Sequence, residues 1–473
     1  MGLVKKTSES KNMKLLAKQR GKHKYLCNAP FTSISVAISG LVTPCCYMGA
    51  QTSAFSQGAS HFPTMSLIDI WNGKKFEYFR KCMQKNIFPD ECAICSNAVQ
   101  SGNTFSVKLL NYDVYIPDGS FPQLLEIAPD NTCNLRCIMC SSLNSSAIAR
   151  SRGCYYPENS ISAEKYLQQL EPFIPHLKEI VVSGGEPFFS ELSMSIMQHV
   201  VEKNHGCMIS VNTNATILTD AVKRLLDKGN FKLNISLDSL QKEAYESIRR
   251  GADFEEVIQN IDYFSEYSKK NKRPLSIAVC PLQTNYSEMP ELLGFCNEKG
   301  FYVFYLHVFN AQKLALASAN EDVLEQALAE YKQFSPPENN LLEKQNAQQF
   351  RGLVANMESW LAFAGSKKRI LSTLISNEEY YREKKNQLFS SVYSLIQHNT
   401  PDDLQVKRFK KWTNKTHELF DSLPQYYRSK ALCDVVFAIS PELYLLYVEK
   451  FSTVDLHEYF ISFGDEAIAA LTQ

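Results

Sequence analysis

Six short apolar runs separated by amphipathic segments predict an α/β fold built on a parallel sheet, with a cysteine-rich module before it and a mainly helical region after it. Three observations carry that prediction. Strand-like and helix-like patterns alternate between about 120 and 310. Ten of the fourteen cysteines lie before residue 155. Beyond about 315 the apolar residues recur at helical spacing.

The six runs are Gln123–Pro129, Glu179–Ser183, Met208–Thr213, Phe231–Leu237, Leu275–Pro281 and Phe301–Val308. Runs this short and this apolar suit strands of a buried parallel sheet. Ile161–Leu170, Glu191–Lys203, Asp220–Asp227, Glu255–Ser268 and Met289–Glu298 separate them with helical periodicity. Strand–helix alternation forces right-handed crossovers and a parallel sheet. Six such units suit a partial barrel or a curved open sheet. Polar and ligand-type residues follow the strands. Cys133 to Cys140 come after the first, and Gly184, Gly185, Glu186 and Pro187 after the second. Asn212-Thr213-Asn214 closes the third, Ser236-Leu237-Asp238 the fourth, and Asn285 lies beyond the fifth. In parallel α/β barrels the carboxyl ends of the strands are where the active site is built.

The chain has 473 residues, which suggests two or three domains, and its 44% hydrophobic content is that of a globular protein. Lys plus Arg equals Asp plus Glu, 50 against 50, so the broad basic footprint of a nucleic-acid binder is missing. Residues 1–24 are the one biased segment, basic and read as a frayed, solvated tail. No run is long and apolar enough for a membrane helix, and no signal-peptide core follows the basic stretch. The expectation is a soluble, cytoplasmic protein. In such a chain, clustered cysteines point to metal or redox chemistry rather than to disulfides.

Cys133, Cys137 and Cys140 place three thiols within eight residues. A tight loop of that length can point all three at one centre, and thiolate is the soft ligand that iron–sulfur clusters need. Three cysteines leave one iron of a four-iron cube open to a small molecule. A structural zinc site more often brings four ligands in two pairs.

The C-x3-C-x2-C spacing after a strand, followed one βα unit later by Gly184-Gly185-Glu186-Pro187, resembles the radical SAM superfamily over residues 120–310. The resemblance implies a partial (β/α)6 barrel and a 4Fe-4S cluster on Cys133, Cys137 and Cys140. It implies that S-adenosylmethionine (SAM) chelates the open iron and is cleaved to a 5′-deoxyadenosyl radical. It further implies that Gly184 and Gly185 admit the methionine end of SAM, and that Glu186 meets its amino group. Ser236 and Asp238 fall where the family contacts the ribose, with a helix-capping role as the alternative. Arg249 falls where a basic residue meets the carboxylate, and Asn214 is a further candidate. Met139 stands where the family usually has an aromatic residue near the adenine. A thioether can pack on a purine as well.

Cys27, Cys45, Cys92 and Cys95 form the second set. A strand-like pair, Thr32–Ser39 and Leu41–Thr43, joins Cys27 to Cys45, and Cys92 and Cys95 make a chelating pair. With Ile70-Trp71-Asn72 and Phe79-Arg80 between them, residues 25–105 resemble a twitch domain, the shorter relative of the SPASM domain. The resemblance implies an auxiliary 4Fe-4S cluster closed by four thiolates. The order is unusual, because such a domain generally follows the barrel. Zinc remains the alternative occupant. Cys46 competes with Cys45 as ligand. Cys82, Cys154, Cys207, Cys280, Cys296 and Cys433 read as packing residues.

Residues 315–473 read as a helical cap or partner-binding domain, with helical patterns at Glu321–Phe334 and Leu341–Phe363. His307, at the end of the sixth strand, is either a proton donor or structural. The resemblance implies a radical SAM oxidoreductase or maturase, supplied with electrons by a flavodoxin or ferredoxin. Its substrate is a peptide or protein side chain, or a small metabolite. The competing class is a non-catalytic iron–sulfur or zinc protein that transfers electrons or scaffolds a partner.

Overall fold

The computed structural model describes residues 11–21, 23–48, 61–101, 107–117, 119–153, 162–308, 312–399 and 402–437, with scattered positions from 439 to 461. Cys154 lies outside the described residues. The chain divides into two compact units, which cut across the boundaries the sequence suggested. One takes residues 1–133, 157–234 and 262–273, and the other 134–156, 235–261 and 274–473.

In the first unit the strands follow the order β2-β1-β3-β4-β5-β6. They are β1 Ser33–Val36, β2 Val42–Thr43, β3 Leu124–Ile127, β4 Glu179–Val182, β5 Met208–Thr213 and β6 Asn230–Ser236, whose last residues enter the second unit. β1 pairs antiparallel with β2 and parallel with β3, and β3, β4 and β5 continue in parallel. The strand-like pair of the cysteine module is therefore part of the sheet, which the sequence did not suggest. The register separates the two faces of the sheet. Ile34, Leu125, Ile180 and Ile209 stand in one cross-strand row and are buried. Their neighbours Ser35, Glu126, Val181 and Ser210 form a row on the other face, and it is largely polar.

Helices Glu191–Lys203 and Asp220–Lys228 each bury an apolar stripe, Ile196, Met197 and Val200 in one and Val222, Leu225 and Leu226 in the other. Each begins where a hydroxyl caps it. Ser190 accepts from the Ser193 N–H and Thr219 from the Val222 N–H, which satisfies donors the first turn leaves free.

Within the expected solvated tail, the described residues from 11 onward correct that expectation. Lys11–Arg20 is a helix, Leu16 is buried with Leu26, Met83 and Val107, and Arg20 pairs with Asp113 at 2.5 Å. The lysines stand out in the sequence there and mask Leu16, whose burial anchors the helix.

In the second unit, the residue after β6 continues the ladder, since Leu237 N–H donates to the Ala278 carbonyl. β7 (Leu275–Val279) then pairs in parallel with β8 (Tyr302–Tyr305). The free edge of β8 is covered by helix Leu341–Leu371. Buried Asn346 on that helix accepts from Val303 N–H and donates to the Phe301 carbonyl. An edge masked in this way cannot recruit another strand. Helices Glu378–Asn399, Asp402–Ser422 and Lys430–Val436 enclose a separate core that includes Trp412, Phe420, Tyr427, Tyr444 and Phe460. Among the described residues no helix is long and apolar enough to cross a membrane.

Candidate functional site

Cys27, Cys45, Cys92 and Cys95 line one cavity in the first unit, with Tyr47, Met83, Phe88 and Tyr112 among its walls. The four arrive from separate stretches of chain. Cys27 precedes β1 and Cys45 follows β2, while Cys92 and Cys95 stand at and just past a single 3-10 turn, Asp90–Cys92. A buried framework fixes that arrangement. Arg80 stacks over Trp71 at 4.3 Å and donates to the carbonyls of Pro30 and Trp71. Burial pushes the Cys27 thiol up to about 12, and the Cys95 charge adds to it. Burial raises Cys45 further, reinforced by Cys27, Cys46 and Cys92. Four thiols that penalise one another's ionisation in an apolar cavity suit a cationic centre, which would reverse that penalty. The donor set fits a four-thiolate cluster.

Cys46 points elsewhere. It is exposed, its N–H donates to Glu126 Oε2 at 3.1 Å, and its sulfur lies 3.8 Å from the Tyr112 hydroxyl. Tyr112 in turn donates to the same Glu126 oxygen at 3.1 Å. Glu126 is on β3, in the polar row of the sheet, and burial raises its pKa. This carboxylate was not anticipated, because the apolar run around it masks it in the sequence.

β3 leads into the loop that carries Cys133, which is buried. The glycine turn after β4 packs on that loop. A Cβ on Gly185 would lie 2.2 Å from the Thr132 carbonyl oxygen, and one on Gly184 2.5 Å from that of Asp130. Gly184 also adopts a φ of +117°. The missing side chains make room for the chain's own backbone just before Cys133. Glu186 is buried, and its carboxylate accepts from Thr213 Oγ1 (2.7 Å), Phe188 N–H (3.2 Å) and Asn214 N–H (2.6 Å). It pins the glycine turn to the end of β5. The Asn214 side chain turns back onto Thr216.

In the second unit, the loop residues on either side of Cys137 are held by backbone bonds. Arg136 N–H donates to the Arg250 carbonyl and Ile138 N–H to that of Ile248, both at 2.9 Å. That pairing sets Arg249 opposite Cys137, with its Nη1 at 3.9 Å from the sulfur. Asp238 is fully buried and pairs with Arg249 Nε at 2.7 Å. Burial disfavours the guanidinium charge, but Asp238 and Cys137 outweigh it and hold the arginine charged. The other Asp238 oxygen accepts from Cys280 N–H, and Asn285 donates to the Asp238 carbonyl. Asp238 thus positions Arg249 and neither caps a helix nor stands open to a ribose. Ser236 ends β6 and is half-buried, and Met139 is half-buried beside Cys140. His307 packs edge-on against Trp360.

Cys207, Cys296 and Cys433 are buried, as packing residues should be. Cys280 is different. It stands just past the end of β7, and its thiol is raised by burial, by Asp238 and by the charges of Cys137 and Cys140. Its position at a strand's carboxyl end was the available signal.

A family model described as the radical SAM superfamily matches residues 127–296, and one described as an iron–sulfur cluster-binding domain matches residues 27–96. A probable GTP 3′,8-cyclase of Methanocaldococcus jannaschii is 25% identical over 244 residues, 50% of this chain and 72% of that protein. A GTP 3′,8-cyclase of Aliarcobacter butzleri is 28% identical over 185 residues, 38% of this chain and 54% of that protein, so the chain spans little more than half of it. The crystal structure of Streptococcus suis SuiB bound to S-adenosylmethionine is similar over 55% of this chain and 57% of that one, at 19% identity and a TM-score of 0.35.

Proposed function

The chain belongs to the radical SAM superfamily and carries a SPASM-type iron–sulfur cluster-binding domain ahead of its radical SAM domain, and from that premise we propose that it is an oxidising radical enzyme. Cys133, Cys137 and Cys140 would hold a four-iron cluster, which would supply the electron for cleaving SAM to methionine and a 5′-deoxyadenosyl radical. The substrate gives a hydrogen atom to that radical, forming 5′-deoxyadenosine. The substrate radical would then lose a proton, and Cys27, Cys45, Cys92 and Cys95 would hold the cluster that accepts its remaining electron. The net change is a two-electron oxidation such as a dehydrogenation or a cross-link. The electron that starts the cycle comes from a donor such as flavodoxin or ferredoxin.

The observation that carries this reading is the four-thiol cavity in the same unit as the polar sheet face. Four thiolates saturate a cluster, so that site exchanges electrons and takes no substrate at iron. The chain's own residues prepare the other site. Arg249, held by Asp238, faces the Cys137 sulfur, and Gly184 and Gly185 let the turn close on the cysteine loop. Ser35, Glu126 and Ser210 give the sheet face hydrogen-bonding groups suited to a substrate with polar functions. Both a peptide or protein side chain and a small metabolite meet that requirement, and GTP is the first small molecule to test. Metal chemistry on free thiols suits a reducing compartment, which supports a cytoplasmic location.

The test is anaerobic reconstitution followed by reduction with SAM present. The wild type should release 5′-deoxyadenosine and methionine, and a variant with Cys133, Cys137 and Cys140 all changed to Ala should release none. A fully loaded wild type that makes no 5′-deoxyadenosine would establish the non-catalytic electron-transfer or scaffold class instead.

A further inference from the structure

We propose that Asp455 is a positioning residue through which the C-terminal helical region holds the cluster loop in place. The proposal rests on Cys133, Cys137 and Cys140 as cluster ligands and not on the identity of the substrate.

Ser142 lies two residues beyond Cys140 and is completely buried. Its hydroxyl donates to Asp455 Oδ2 at 2.5 Å, and its N–H is 3.4 Å from Oδ1. The short helix Ser146–Ser151 follows, and Arg152 at its end donates to Asp455 Oδ1 at 2.6 Å. Both ends of the segment that leaves the cluster loop therefore converge on one carboxylate. Between them Ser145 caps the helix and donates to the Leu135 carbonyl at 2.7 Å. Leu135 lies midway between Cys133 and Cys137, so the network reaches inside the cysteine motif itself.

The carboxylate is well anchored. Its side chain is 7% exposed. The next residue, Leu456, is fully buried in the core that holds Trp412, Phe420 and Phe460. Local serines could satisfy a loop without help from a distant element. Here the acceptor is a carboxylate 313 residues away, nearly dry and paired with Arg152. Bonds to a charged, desolvated acceptor are stronger than those between neutral groups. The helical region thereby has a role at the cluster loop while supplying no ligand.

The experiment uses the full-length, reconstituted protein. Asp455→Ala, Ser142→Ala and the double variant are challenged with a chelator, and iron loss from the two sites is followed separately by Mössbauer spectroscopy. Asp455→Ala should lose iron from the loop site about 10-fold faster, the loss expected for a charge-assisted bond. Ser142→Ala should accelerate the same site alone. The double variant should be no faster than Asp455→Ala, because the two act through one contact. Ser142→Ala leaves the C-terminal core intact, so it reports even where Asp455→Ala perturbs folding. Unchanged loss in Ser142→Ala overturns the proposal. So does equal acceleration at both sites, or additivity in the double variant.

Discussion

The two thiol sets reach their centres by different means. Cys27, Cys45, Cys92 and Cys95 come from three stretches of chain and meet in a cavity walled by Met83, Phe88 and Tyr112. Cys133, Cys137 and Cys140 come from one loop, with Arg249 and buried Asp238 opposite Cys137. The first set is assembled by tertiary packing and has a full complement of ligands. The second is assembled by local chain geometry, lacks one ligand, and has a fixed charge beside it. On the proposed reading, ligand number and environment separate a site that passes electrons from one that binds and reacts.

That division is tested most severely by removing one set and watching the other. With both sites loaded the chain should hold about eight irons, counted from cluster type. Changing Cys92 and Cys95 to Ala should leave about four. SAM should still be cleaved, but no oxidised product should appear. Normal product from a chain shown to lack the second cluster would remove the electron-accepting role. One cluster plus zinc in the wild type would do the same and leave the radical SAM domain untouched.

A smaller effect is expected from the backbone that supports the loop. Gly185→Ala places a Cβ 2.2 Å from the Thr132 carbonyl oxygen, and a backbone atom cannot yield as a side chain can. The cost is about 3 kcal/mol, the upper part of the usual overpacking range. It should appear as a lower thermal midpoint and weaker cluster retention at the loop site. Gly294→Ala, in helix Met289–Lys299, meets nothing within 4 Å and serves as the control. It should be neutral or stabilising by up to about 1 kcal/mol. Equal behaviour of the two variants would refute the packing role assigned to Gly185.

These expectations also mark what the sequence alone could show. β5 and helix Glu191–Lys203 were legible to the residue, because a buried strand and an amphipathic helix each carry their own period. The cysteine loop and the glycine turn were legible because their spacing is local. What depends on long-range register was not. β1 joins β3 across about 90 residues, and nothing in Ser33–Val36 announces a parallel partner. Asp238 looked like a ribose ligand or a helix cap until its burial against Arg249 was seen. The resemblance gave Glu186 to the amino group of SAM, and its spacing said nothing of the three donors of the chain that converge on it. Cys280 could not be told from Cys296 by spacing, and only its place past β7 separates them.

The smallest effect concerns the adjacent pair Cys45 and Cys46, and it probes how specific the four-thiol cavity is. Either could serve as a ligand on spacing alone. The structure gives them opposite surroundings. Cys45 faces the cavity with Cys27, Cys92 and Cys95, whereas Cys46 is exposed and directed at the Tyr112 hydroxyl. Cys46 meets Glu126 through its backbone N–H, which a substitution retains, and through its thiol. The sulfur contact with Tyr112 is long and weak, and a serine hydroxyl can take the place of the thiol against both Tyr112 and Glu126. Cys46→Ser should therefore keep the full iron content and stay within about 0.5 kcal/mol of the wild type, as surface substitutions generally do. Cys45→Ser should lose the N-terminal cluster or hold it with an altered Mössbauer signature, because an alcohol is a poor, hard ligand for iron–sulfur centres. If Cys46→Ser lost the cluster and Cys45→Ser kept it, the pair would have exchanged roles on metal binding. Glu126 would then give up its bond from the Cys46 N–H.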